Sequence, residues 1–429
     1  MLLWSGVSQE TRTPRTQAEA SQRSLWRWVG PGALVLLTIA VAGGWAYWRL
    51  FAASPVTARQ PSGQTPVVTQ LQFVTSDTGW VGVVQPTGGA VLATSDGGRH
   101  WRSQLALPGM QPRWIHFFDA GRGFVFASSS GGPGKPDQLY RTADGGAHWA
   151  PVGLPGPSTI YSSGAMISFA DDQHGWYLVA AYSYRESQDF TLYTTGDGGT
   201  TWSPLLAADI GHPLSHGMSY TGRKTGLWFR DGLTGWVGQA EQGQASLWFT
   251  SNGGSDWEEE KLPAPPAGWN PLAQVLVGVP AVFADGSGAV AAATVGPGGA
   301  GGPAIAAYTY TTTDGGRTWA DPRPLPQAAS AGASFLGPSS VAMPSGRQWW
   351  YGGGPVLYVT EDAGGHWREL ASAPKGFIFT SIQGVDGSHA WAVATRFTGC
   401  SQAGPCRSAT SELVRIDDSG RQLSVVKVP

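Results

Sequence analysis

Eight side chains with the means to do chemistry fall in two stretches of the sequence. Tyr182, Tyr184, Arg185 and Glu186 lie in the run 182–189 (YSYRESQD), and His212, His216, Arg223 and Lys224 lie between Asp209 and Thr225. Tyr and Arg are the side chains that most often anchor binding hot spots. Arg185, Arg223 and Lys224 set against Glu186 make the group net basic on a chain whose formal net charge is −2. An acidic peptide segment or a carboxylate-bearing ligand is therefore the expected partner. Two other chemistries can be asked of the same region. His212 and His216 have H-x3-H spacing, which suits zinc when both rings share one face of a helix. Pro213 and the glycines around it put this pair in a loop, so no metal is assigned. Glycoside hydrolysis needs two carboxylates facing each other across the sugar. Asp137, Glu186, Asp189, Asp209 and Glu241 are on offer but make no recognisable pair, so no catalytic residue and no cofactor are assigned.

These stretches stand out because most of the remaining chain repeats. The octapeptide T-x-D-x-G-x-x-W occurs at Asp96 with Trp101, Asp144 with Trp149, Asp197 with Trp202, Asn252 with Trp257, Asp314 with Trp319 and Asp362 with Trp367. A worn copy follows at Ile416–Leu423, and the spacing runs from 48 residues (Asp96 to Asp144) to 62 (Asn252 to Asp314). A unit recurring at such a period means a repeat architecture. The acidic or amide side chain can bond its own backbone and shape a tight turn. Glycine supplies positive φ, and Trp returns the chain to an apolar interior. Apolar runs such as Val91-Leu92-Ala93 precede each copy, so each is the turn of a β-hairpin. A second signature precedes the first, an apolar residue, Asp, a short turn and Gly-Trp: Phe73…Gly79-Trp80, Phe118…Gly123-Phe124, Phe169…Gly175-Trp176, Phe229…Gly235-Trp236, Phe283…Gly288-Ala289, with weaker copies ending at Trp350 and Trp391. Each unit is then two hairpins, strands A to D, with the octapeptide between C and D. Four antiparallel strands repeated radially are a propeller blade, and the spacing predicts an all-β, seven-bladed propeller over residues 65–429, the last blade ending in strands 411–416 and 422–428.

On these paired motifs the chain resembles the BNR or Asp-box repeat proteins: sialidases, sortilin-type receptors, some endoglucanases and, most closely, the photosystem II stability/assembly-factor-like propellers. The resemblance implies the fold strongly and a function only weakly. Sialidases place an Arg-Ile-Pro element before the first box, and this chain has no arginine between Arg59 and Arg99. The expected function is a non-catalytic binding or assembly scaffold with a protein or peptide partner; an extracytoplasmic, sialidase-like glycosidase is the alternative.

The segment ahead of the repeats sets the expected location. Residues 1–27 read as a cytoplasmic tail carrying Arg12, Arg15, Arg23 and Arg27. Residues 28–51 read as a transmembrane anchor, since Trp28 to Trp48 holds no charge and is long enough to span a bilayer. Aromatics sit at both of its ends and arginines precede it, which predicts an inside N-terminus. Residues 52–64 read as a linker and the propeller as extracytoplasmic. In such an oxidising space Cys400 and Cys406, the two cysteines of the chain, are expected to pair. The chain has no basic run, so nucleic acid is not an expected partner. In a propeller the A–B and C–D turns share one end and the B–C and D–A loops the other. The boxes therefore occupy a structural end, with their aspartates as turn formers, and the eight side chains the opposite one. Of the histidines, His100, His148 and His366 belong to boxes and His174 and His389 to A–B turns, which leaves His116, His212 and His216.

Overall fold

The structure is a computed structural model that describes residues 66–85, 87–129, 136–156, 162–181, 187–264, 273–295, 304–326, 341–399 and 408–429. Tyr182, Tyr184, Arg185, Glu186, Cys400, Cys406 and the whole predicted tail, anchor and linker lie outside these residues. No helix among the described residues is long and apolar enough to cross a membrane.

The described chain is built from antiparallel sheets. Five are four-stranded meanders in chain order. The first comprises Val67–Phe73, Gly79–Gln85, Gly88–Thr94 and Arg102–Pro108. The second holds Met110–Phe117, Gly123–Ser129, Gln138–Thr142 and Ala150–Val152, and the third Ser162–Phe169, Gly175–Ala181, Phe190–Thr195 and Ser203–Ala208. The penultimate sheet spans Val341–Ala342 to Arg368–Ser372, and the last spans Ile378–Gly384, Ala390–Thr398, Ser408–Asp417 and Gln422–Val426. Between the third and penultimate sheets lies a nine-stranded sheet. It contains one four-stranded run (Arg223–Phe229, Gly235–Gln242, Ser246–Thr250, Glu258–Lys261) and a second (Ala281–Val282, Gly288–Val295, Ala304–Thr312, Arg323–Pro324). Gln274–Val277 pairs with both, through Ala240–Gln242 on one side and Ala292–Val295 on the other. Strand A of the second run is thus broken at Gly278–Pro280, where Pro280 has no N–H to offer a ladder.

The octapeptide forms the C–D turn in every unit. In the first box Thr94 Oγ1 accepts the Gly98 N–H at 2.9 Å and donates to Asp96 Oδ1 at 3.0 Å. Asp96 also accepts the His100 N–H at 2.9 Å, and its Oδ2 contacts His100 Nδ1 at 2.6 Å. Asp144, Asp197 and Asp362 repeat the arrangement, and Asn252 keeps it by donating from its amide to Asp256. These hydrogen bonds, first from the backbone N–H four residues on, hold the Asp144 and Asp197 carboxyls down to about 2. Each box is also stapled to the A–B turn of its own unit. The N–H after the box Asp or Asn, or after its counterpart Asp418, donates to that turn's carbonyl, from Gly97 to Asp77 (2.9 Å) through Gly253 to Leu233 (2.8 Å) to Ser419 to Ser388 (3.0 Å). That N–H requires positive φ, which Gly97, Gly145, Gly198, Gly253 and Gly315 provide; Ala363 (φ 57°) and Ser419 (φ 52°) adopt it against their own preference. Replacing Ala363 by Gly should therefore stabilise the fold by about 1 kcal/mol, read as a rise in the urea midpoint with an unchanged slope.

The box tryptophans all pack against the core but reach different depths: Trp257 and Trp319 are buried, whereas Trp101, Trp149, Trp202 and Trp367 are partly buried at the sheet margin. The deep aromatics belong to the other signature. Trp80, Trp176 and Trp391 each stack face to face on the strand-A Phe of the following sheet: Trp80 on Phe117 (3.4 Å between centroids), Trp176 on Phe229 (3.6 Å) and Trp391 on Phe73 (4.0 Å). Phe124 on Phe169 does the same at 4.0 Å. The box Trp then meets that Phe edge-on, as in Phe117–Trp149, Phe169–Trp202 and Phe229–Trp257. Before Trp80, Phe124, Trp176 and Trp236 the residue is Gly, and the strand-A ring lies over it, whereas Ala390 precedes Trp391. A Cβ on Gly79, Gly123, Gly175 or Gly235 would stand 2.2 to 2.5 Å from its own strand-A Phe ring.

The last and first sheets meet through side chains. Gln383 brackets the backbone of Phe73, accepting its N–H at 2.7 Å and donating to its carbonyl at 3.1 Å. Gln72 brackets Phe117 in the same way at 3.0 and 3.1 Å. Arg415 adds an ion pair to Asp77 at 2.8 Å. Trp391, Val393 and Leu413 share one buried cluster with Phe73, Val81 and Val83.

Candidate functional site

Of the two stretches singled out by sequence, residues 187–189 of the first lie against residues 220–224 of the second. An isolated bridge joins Ser187 to Thr221, and the Gln188 N–H donates to the Tyr220 carbonyl at 2.8 Å. The Gln188 side chain accepts the Lys224 N–H at 2.9 Å. The loop before the nine-stranded sheet is built rather than slack. Asp209 and His212 exchange backbone hydrogen bonds at 3.1 Å, and Asp209 Oδ1 accepts the N–H groups of Gly211 and His212 at 2.7 and 2.8 Å. A hairpin then runs from Leu214–Ser215 back through Met218–Ser219. Met218 is fully buried among Leu206, Ala208, Trp248 and Trp257.

This hairpin changes the geometry expected from sequence. It points along the side of the molecule towards the boxes. At its tip His216, with φ 47°, gives its carbonyl to the Trp257 N–H at 2.8 Å and sets its ring 3.5 Å from Asp256. His212 stays at the base, paired with Asp209 at 3.3 Å. The two rings thus face different partners, and among the described residues no group of three metal-type ligands forms. Arg223 opens an inner strand, half-buried and opposite Ala240.

Lys224 is the larger correction. Expected on a recognition surface, it is 2% exposed. Its Nζ donates to the carbonyls of Ser219 (2.8 Å) and Thr221 (2.9 Å) and to Gln239 Oε1 (3.0 Å). The ammonium also lies over the rings of Phe190 and Trp248, at 5.4 and 5.5 Å. Burial pulls its pKa down to about 7, opposed by the charges of Glu241 and Glu259. Lys224 therefore acts as a strut between the loop and the sheet. Gln239 is the hub around it: its Nε2 donates to Glu241 (2.8 Å) and Ser246 (3.1 Å), and its Oε1 accepts from Trp248 Nε1 (2.6 Å). Sequence reasoning missed this network. Its signal was Gln239 and Glu241 in a strand whose counterpart in the first sheet reads Val83 and Gln85.

The candidate carboxylates have separate environments. Asp209 is lowered, first by the His212 N–H. Asp189 is raised by burial and then by the charge of Asp209. Asp137 is raised by burial, although Ser128, Arg113 and Tyr177 oppose it. Glu241 is engaged by Gln239. His116, also left over by the repeats, stacks on Trp114 at 5.2 Å, and burial lowers its pKa to about 4. It is a partly buried ring packed between Trp114 and Phe118.

No described protein family matches the chain, and neither does any curated protein. Among solved structures, YCF48 bound to a D1 peptide is 16% identical with a TM-score of 0.51, covering 82% of this chain and 94% of that one. A puromycin-hydrolyzing peptidase of Mycobacterium tuberculosis is 14% identical with a TM-score of 0.52, and the match spans 88% of this chain but 55% of the peptidase. A prolyl endopeptidase gives a TM-score of 0.50 at 12% identity, over 94% of this chain and 55% of that one. Identities this low speak to the fold alone, and by fold this chain is a β-propeller like that of YCF48.

Proposed function

We propose that the protein is a membrane-anchored, extracytoplasmic propeller of seven blades that binds a protein or peptide segment as a non-catalytic scaffold. The blades are the five four-stranded sheets and the two runs of the nine-stranded one, closed into a ring by packing of the last sheet on the first. The observation that carries the binding role is the docking of residues 187–189 onto 219–224 by backbone bridge, Gln188 and Lys224. It makes a fixed platform of two loops that the repeat does not need, and loops on a rigid scaffold are where binding concentrates. The likeness to a propeller solved with a peptide supports the same reading.

With Lys224 committed to the interior, Tyr182, Tyr184, Arg185 and Glu186 are the residues proposed to meet the partner. Capture from detergent-solubilised membranes, with the anchor intact, should recover a protein partner. The double substitution Tyr184→Ala with Arg185→Ala should cut that recovery at least tenfold at an unchanged melting temperature. Undiminished capture removes this surface from consideration. Glycoside hydrolysis that disappears on changing Glu186 or Asp189 would replace the scaffold by an enzyme. Protease added to intact cells should remove the propeller. Resistance of the Cys400–Cys406 pair to thiol alkylation until a reductant is added would support the disulfide and the oxidising location.

A further inference from the structure

Among the described residues the most exposed large apolar side chain is Ile210, at 80%, followed by Leu214 at 63%. Both belong to the loop that leaves the third sheet at Ala208. That is the end of the sheets where strand A begins, so it is also the end at which the described chain enters, at Val67. We propose that this loop rests on the lipid bilayer that holds the chain, with Ile210 and Leu214 in the interfacial layer. The inference rests on the membrane-anchored reading.

Four observations favour lipid over a protein as the occupant. Residues 210–222 (IGHPLSHGMSYTG) contain no Asp, Glu, Lys or Arg, so beyond the Asp209 carboxylate at its base the loop brings no formal charge towards lipid. The Asp209 side chain already satisfies the N–H groups of Gly211 and His212, which lowers the cost of taking the tip out of water. The turn is fixed from below by buried Met218 and by Lys224, so little ordering is lost on contact. The uncharged run ending at Trp48 lies nineteen residues before Val67, a tether of roughly 60 Å at full extension. It leads to this end of the sheets, not to the end that carries the boxes.

The test uses the full-length chain in phosphatidylcholine nanodiscs. Position 210 carries an environment-sensitive fluorophore through Ile210→Cys, with Cys400 and Cys406 changed to Ser. Leu233→Cys, in an A–B turn at the box end, is the control. We expect lipid bearing a doxyl quencher to reduce emission at 210 at least twofold and to leave 233 unaffected. A second version keeps both native cysteines and replaces Ile210 by p-benzoylphenylalanine, which should crosslink to phospholipid on irradiation. An unquenched, uncrosslinked position 210 on a chain that still floats with the discs overturns the docking and leaves the anchor standing. A chain that separates from the lipid on flotation overturns the anchor itself.

Discussion

Trp391→Ala should cost about 3–5 kcal/mol of stability, the largest loss expected from a single side chain here. Trp391 is 0% exposed and stacks on Phe73 at 4.0 Å with the rings 7° from parallel. It lies where the last sheet meets the first, and the Arg415 guanidinium lies 5.7 Å from the centre of its ring. Its removal opens a cavity between two sheets that share no backbone ladder. Neighbouring elements also lose their template, because Gln383 can bracket Phe73 only while that ring holds its position. Trp391→Phe should recover most of the loss, since an offset stack survives on the smaller ring. Urea unfolding at pH 7 reads the difference, and a cost below about 1 kcal/mol for the Ala variant would show that the closure does not depend on this stack.

The pH dependence should be set in part by Lys224. Its folded pKa is lowered from 10.5 to about 7, so the sign follows from proton counting. Below pH 7 the group is charged in both states and its contribution is constant. Between pH 7 and 10.5 the unfolded chain holds a proton that the folded chain has released, so stability rises with pH. The full shift corresponds to on the order of 5 kcal/mol. The difference between the native chain and Lys224→Met, measured from pH 6 to pH 10, isolates this group from the other titrations. That difference should grow with pH and level off only as the lysine of the unfolded chain titrates. A flat difference would mean that Nζ keeps its proton throughout, held by Ser219, Thr221 and Gln239.

The repeat, the hairpin turns and the strand starts at Gly79, Gly123, Gly175, Gly235 and Gly288 were legible because each is enforced locally, by turn chemistry or by a ring lying over a glycine. The division of labour between the two tryptophan sets was not. Both signatures carry Trp, and only the stacking across sheets buries Trp80, Trp176 and Trp391 while leaving Trp149 and Trp202 at the margin. The path of residues 209–222 was also out of reach. It depends on Met218 finding an apolar socket between two sheets, which no periodicity announces. Lys224 was misplaced for a physical reason: lysine is almost never fully buried unless paired, and its acceptors are two backbone carbonyls and a glutamine from another strand.

The strand Gln274–Val277 belongs at once to both runs of the nine-stranded sheet. A ring of sectors joined only by side chains can crack at any joint, but here one joint carries a continuous backbone ladder. Under mechanical load or partial denaturation these two sectors should travel together as one double-width stave. The fracture should begin elsewhere, and the joint between last and first sheets, which no covalent connection crosses, is the weakest line in the ring. Extension between residues 67 and 428 should therefore peel single sheets from that opening and reach the double stave as one larger event.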